Sequence, residues 1–143
     1  IMTRSDDRAL TLAERPAKAL DSNADFFISI HCNANPNPNS ATGIETYYHM
    51  QEPSPKALAF SIHEAMCAAT GMCDRRPRSD SRLYSSGFGV LRRLSGTGVP
   101  GVLLECGFLN NTSDRKKLVD PAFRKTLVSG IVSGLKAYVE GTQ

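Results

Sequence analysis

No Cys-x-x-Cys pair occurs among the four cysteines, Cys32, Cys67, Cys73 and Cys106, so the usual basis for a structural zinc cluster is missing. Four cysteines in 143 residues are also too sparse for a disulfide scaffold. Long apolar runs are absent: the longest, Ala65–Ala69, has five residues, against the roughly 20 of a membrane-spanning helix. Charge of one sign is scarce. Seventeen basic and 14 acidic residues leave +3, too little to imply a nucleic-acid or membrane partner. The 11 glycines and 8 prolines follow no period, which excludes collagen-like and low-complexity chains. Nor is there the basic stretch and apolar core of a targeting signal. Ile1-Met2-Thr3-Arg4 reads like the end of a strand, and the chain is expected to be a fragment of a longer polypeptide.

What is present is ordinary globular sequence, 41% hydrophobic and 22% charged, sized for one domain. Pro16 delays a first helix to Glu14 or Arg15. Phe26–His31 is a short buried strand, Asn33–Asn39 a loop, and Gly43–His49 a second strand alternating around Ile44, Thr46 and Tyr48. Ser54-Pro55 reads as the start of a helix striped by Leu58, Ile62, Met66 and Ala69 and stopped by Gly71. Asp74–Gly89, rich in Arg and Ser, reads as the longest loop, and Val90-Leu91 as a short strand. Gly101–Gly107 is a strand ending in a turn. Ser113 caps a short helix, and Asp120-Pro121 opens the last one. Its face carries Phe123, Leu127, Ile131 and Leu135, widened by Val128, Val132 and Val139. Helices alternating with short buried strands predict an α/β domain, a twisted mostly parallel sheet flanked by helices.

Two polar residues end otherwise apolar strands, His31 and Glu105. Ligands of open α/β sheets bind beyond the carboxyl ends of strands, so an imidazole and a carboxylate placed there share one cleft. Neutral imidazole is the commonest zinc ligand, and a carboxylate near water is a common general base. A lone histidine hydrogen-bonded in the core or on the surface is the plainer alternative.

Five stretches resemble the zinc-dependent N-acetylmuramoyl-L-alanine amidases of bacterial cell-wall hydrolysis (the type-3 amidase domain). They are Met2–Asp7, Leu12–Arg15, Ala24–Ala34 with its Ser29-Ile30-His31-Cys32-Asn33-Ala34, Gly43–Tyr48, and Val102–Asn111 with its Leu104-Glu105-Cys106-Gly107-Phe108-Leu109. The resemblance runs over nearly the whole chain. It implies that His31 is a zinc ligand and Glu105 the catalytic carboxylate, with peptidoglycan as partner and the bond between N-acetylmuramic acid and L-alanine as the one cut. It also implies action in the periplasm, cell envelope or extracellular space. The family opens with a strand ending in Asp-Pro-Gly-His-Gly, followed by a segment carrying a ligand Glu. Neither motif is here, and His49, His63, Glu14 and Glu45 match no ligand motif. Residues 1–143 are therefore expected to form a single amidase domain lacking the family's first strand and helix. One histidine is too few for a zinc site, and the missing strand would leave sheet edge and apolar surface exposed. The other reading is an amidase-like domain that binds peptidoglycan without cutting it.

Asp74-Arg75-Arg76-Pro77-Arg78, Arg82, Arg92 and Arg93 form a basic cluster suited to carboxylates of stem peptides, or simply a solvated loop. Asn33 and Asn110 flank the site strands, as ligand-orienting or capping residues, and capping suits Asn110 and Asn111 better. Cys67 and Cys73 are either bridged across a helix end or small buried side chains. A cysteine nucleophile at Cys32 or Cys106 is disfavoured by strand alternation, which turns both away from the His31–Glu105 cleft and predicts that they meet in the core.

Overall fold

A computed structural model of the chain describes residues 1–50 and 52–141. Along the chain run α1 (Glu14–Asp21), β1 (Phe27–Asn33), β2 (Ile44–Tyr48), α2 (Pro53–Thr70), β3 (Asp74–Ser79), a 3-10 turn at Asp80–Arg82, α3 (Gly89–Arg92), β4 (Gly101–Phe108), α4 (Thr112–Val119) and α5 (Pro121–Gly141). The strands form one sheet in the order β1-β4-β2-β3. β1 runs parallel to β4 and β2 parallel to β3, while β2 and β4 are antiparallel. The α/β architecture holds, with a mixed sheet in which two of three pairings are parallel.

Alternation along the strands supplies two cores. On one face Ile44, Tyr48, Val102, Leu104 and Cys106 pack under α2 and α5 through Leu58, Ile62, Met66, Leu127 and Ile131. On the other, Phe27, Tyr47 and Leu103 meet Ala19 of α1 and Val90, Leu91 and Leu94 at α3. Tyr47 and Tyr48 thus serve opposite faces. α1 starts at Glu14 as expected. Its entry is tied by reciprocal bonds, Thr11 N–H to Glu14 Oε2 at 2.7 Å and Glu14 N–H to Thr11 Oγ1 at 3.2 Å, the capping-box pattern.

Several expectations need correction. The helix after Glu52 begins at Pro53, not at a Ser54 cap, and no side chain caps it; Pro53 takes the first helical position itself. Gly71 ends α2 in the left-handed region, φ 63°, as expected. Asp74–Ser79 is a strand rather than loop. It lies at the sheet edge, where Pro77 interrupts no inner ladder and polar side chains face water, so no apolar alternation betrays it. Val90-Leu91 lies in a single helical turn, a length at which periodicity does not separate helix from strand. Val128 and Val132 stay exposed. The contact face of α5 runs instead through Gly130 and Gly134, whose missing side chains admit α2: a Cβ at Gly134 would stand 2.5 Å from Ile62 Cα. All four cysteines are free, so no bridge joins Cys67 to Cys73.

β1 occupies the other sheet edge, with Ile30 60% exposed. Two buried carboxylates fix the loops. Asp114 (1% exposed) accepts from Thr42 Oγ1 and from the N–H groups of Gly43 and Phe108 at 2.6–3.0 Å. Asp80 accepts from His49 Nδ1 and from the N–H groups of Met50 and Phe88.

Candidate active site

The register of three adjacent strands assembles the site. His31 on β1 lies opposite Glu105 on β4, and Glu105 lies opposite Glu45 on β2. Directly paired residues project to the same side of a sheet, so His31, Glu105 and Glu45 form a row on the α1–α3 face. His31 and Glu105 thus come together as expected, but inside their strands rather than at the ends, since β1 runs on to Asn33 and β4 to Phe108.

Just beyond His31 the register slips, so that Asn33 pairs with Phe108 and two residues of β4, Cys106 and Gly107, face the single Cys32. Such bulges re-aim side chains and recur beside active sites. Gly107 takes φ 144° there, which favours glycine. Cys32 and Cys106 do not meet in the core as expected: Cys106 is buried, but Cys32, on the edge strand like the exposed Ile30, is exposed.

Glu45 is the most heavily bonded member of the row. It accepts from Asn33 Nδ2 at 3.0 Å, Tyr47 Oη at 2.7 Å and Arg75 Nε at 2.8 Å, with Arg78 Nη1 3.7 Å away. Burial opposes its ionisation, yet the bonds from Tyr47 and Arg75 and the charges of both arginines win, holding the carboxyl below its usual range. The Tyr47 hydroxyl is raised by burial and by its bond to that carboxylate. Arg75 lies 5.2 Å from the Phe108 ring centroid, a cation–π contact.

Glu105 is the opposite case. Its Oε2 is buried and has no hydrogen-bond partner among the described residues. Burial, and next the negative charge of Glu45, push its carboxyl up to about 7. An uncompensated buried acceptor costs folding free energy, and a carboxyl titrating near neutrality is suited to both taking and giving a proton. His31 bonds to Ser29 Oγ through Nε2 at 2.8 Å. Partial burial and then Arg15 lower its basicity, favouring the neutral imidazole that binds metals.

Glu45, Ser29 and Tyr47 belong to the site although nothing in the sequence singled out their part in it, and Arg75 of the basic cluster joins them by holding Glu45. The antiparallel β2–β4 pairing brings Glu45 in, and only alternation along β2 hinted at its face. Of the arginine cluster, Arg75 and Arg78 reach this row: Arg75 bonds to Glu45, while Arg78 approaches it to 3.7 Å and donates to the Arg75 carbonyl. Asn33 holds Glu45 and its own loop, since its Oδ1 accepts from Ala34 N–H. Asn111 caps α4 as expected, while Asn110 ties the Asn35 loop. His49 and His63 lie outside the row, in bonds to Asp80 and Asp74.

These residues fit one side of a metal centre. His31 supplies an imidazole, and Glu105 places an orphaned oxygen beside it. They do not complete a ligand set. Among the described residues, the group able to gather three ligand atoms within 4.8 Å is His63, Cys67 and Asp74, which lies elsewhere, at α2 and the start of β3. No described helix is long and apolar enough to cross a membrane.

Comparison with known proteins extends this picture. Residues 1–137 match the Amidase_3 family, described as N-acetylmuramoyl-L-alanine amidase. The N-acetylmuramoyl-L-alanine amidase LytC of Bacillus subtilis is 34% identical over 140 residues, 96% of this chain and 26% of that protein. The Bacillus subtilis protein YqiI is also 34% identical, over 98% of this chain and 64% of its own length. The chain thus spans only part of these relatives. A crystal structure of an N-acetylmuramoyl-L-alanine amidase from Clostridium difficile 630 superposes with a TM-score of 0.87 at 34% identity, covering 98% of this chain and 71% of the other.

Proposed function

We propose, from the premise that the chain belongs to the N-acetylmuramoyl-L-alanine amidase family, that its strand-end row is the working half of a peptidoglycan amidase site. The observation that carries this reading is Glu105, a carboxyl held near neutrality with a buried oxygen that nothing among the described residues satisfies. The substrate is the amide between N-acetylmuramic acid and the L-alanine of a stem peptide, and the place of action is the cell envelope or outside it.

Glu105 acts as the general base. Its free Oε2 takes the proton of the attacking water and later hands it to the departing amine, so that the lactyl carbonyl gains a hydroxyl and L-alanine leaves with a free amino group. A carboxyl poised near the working pH is suited to both directions of that transfer. Glu45 supports the role at one remove. Fixed by Asn33, Tyr47 and Arg75, it keeps a negative charge beside Glu105 and so strengthens the latter's hold on its proton.

His31 is the ligand this row offers to zinc. Its Nε2 is engaged by Ser29, which fixes the ring and leaves Nδ1 for the metal. Zinc, when bound, would polarise the amide carbonyl and acidify water. The ligands completing its shell come from outside this row.

The test is release of free L-alanine amino termini from purified peptidoglycan, followed by mass spectrometry, together with bound zinc. Glu105→Gln should keep zinc and lose activity by about 100-fold or more. His31→Ala should lose the activity and the zinc held at this row. Undiminished cleavage by Glu105→Gln would overturn the reading, and so would wild-type protein that binds zinc and peptidoglycan without cutting.

A further inference from the structure

We propose that His63, Cys67 and Asp74 form a second metal site, for a zinc-class divalent cation, at the junction of α2 and β3. His63 and Cys67 stand four residues apart on one face of α2. Gly71 turns the chain back, and Asp74 opens β3 against them. His63 Nε2 lies 2.8 Å from Asp74 Oδ1 and 3.5 Å from Cys67 Sγ, and the three ligand atoms all fall within 4.8 Å of one another.

The direction of approach decides what such a trio does. In a nucleophilic Cys–His–Asp arrangement, thiol and carboxylate bind opposite nitrogens of the ring, so that one orients the base and the other gives up its proton. Here both converge on Nε2. The other nitrogen, Nδ1, lies 3.0 Å from Thr46 Oγ1. That is the outer-shell partner a metal-bound imidazole requires. The Thr46 hydroxyl both donates and accepts, so the ring can move its proton to Nδ1 and free Nε2 for the metal.

The distances agree with this assignment. Tetrahedral zinc, with bonds of about 2.0–2.1 Å to N and O and about 2.3 Å to S, separates N from S by about 3.6 Å and N from O by about 3.4 Å. The first separation is already present. The second requires Asp74, whose side chain is 45% exposed, to swing outward by about half an ångström, loosening the 2.7 Å bond that its Oδ1 accepts from Arg76 N–H. His63 is 1% exposed and held by Thr46, so the site has a fixed base and a movable, solvent-facing arm through which the ion enters. One thiolate, one imidazole and one carboxylate suit zinc better than calcium or magnesium. Cys67 gives its proton to solvent as the metal–sulfur bond forms, and no oxidant or reductant is involved. Arg75, which holds Glu45, directly follows Asp74, so an ion here pins the root of that strand to α2.

The test uses reduced, chelator-stripped protein titrated with cobalt(II). The site should give a sulfur-to-cobalt charge-transfer band that saturates at one equivalent and persists in His31→Ala. Cys67→Ala should abolish the band while far-ultraviolet circular dichroism shows the fold retained. Asp74→Asn, a change at a half-exposed side chain, should weaken cobalt binding by at least the roughly tenfold that loss of even an outer-shell partner costs. Absence of the band in the reduced wild type overturns the assignment, as does a band that survives Cys67→Ala but disappears in Cys32→Ala. Neither result bears on amide cleavage, whose failure or success is read separately with His31→Ala and Glu105→Gln.

Discussion

Replacing Glu105 by Gln should stabilise the metal-free fold, and only above mildly acidic pH. The carboxyl titrates near about 7 in the folded chain against 4.5 ordinarily, so the folded state holds its proton more tightly by about 3 kcal/mol at most. The side chain is not wholly sealed from water, and solvent screening brings the expected effect to about 1–2 kcal/mol. Because the folded pKa is raised, the folded state binds more proton than the unfolded state between the two values, and stability falls as pH rises. Below 4.5 both states are protonated and there is no penalty. The penalty grows from 4.5 to about 7 and stays constant above. Gln carries no charge at any of these values. Urea denaturation in chelator at pH 4 and pH 8 should therefore show Glu105→Gln close to wild type at the lower pH and more stable by about 1–2 kcal/mol at the higher. A Gln variant equally displaced at both pH values would refute the reasoning, since its effect would then come from shape or hydrogen bonding rather than charge.

The remaining predictions concern the supports of the site. Glu45→Gln removes the charge that raises Glu105, so the acidic limb of the activity–pH profile should move to lower pH; an unmoved limb would mean that burial alone sets Glu105. Gly134→Ala forces a Cβ to within 2.5 Å of Ile62 Cα and should cost about 1–3 kcal/mol in thermal unfolding, whereas Gly141→Ala, which meets nothing within 4 Å, should be near neutral. Asp114→Ala strips Thr42 Oγ1 and the N–H groups of Gly43 and Phe108 of their acceptor and should destabilise by about 3 kcal/mol or more, read from the urea midpoint.

Period and punctuation carry local structure, and they made β1, β2, β4, α2 and α5 legible to within a few residues. Val102–Leu104 is apolar enough to demand burial, whereas Ile30 of the other apolar run stays exposed at the sheet edge, and the polar residues that follow, His31 and Glu105, stand inside β1 and β4, two and three residues before their ends. Gly71 and Asp120-Pro121 mark boundaries because their backbone preferences act without help from the rest of the chain. The strand Asp74–Ser79 escaped because an edge strand with one face in water needs no apolar alternation. The partner of each strand is set by packing between segments distant in sequence, and that decided the chemistry. Antiparallel pairing of β2 with β4 placed Glu45 beside Glu105, the edge position of β1 left Cys32 exposed, and the return of the chain at Gly71 brought Asp74 to His63 and Cys67. A strand's own residues dictate that it is buried and which side chains alternate. Which carboxylate stands across from which is decided only when the sheet closes, because neighbours in the sheet come from different parts of the chain.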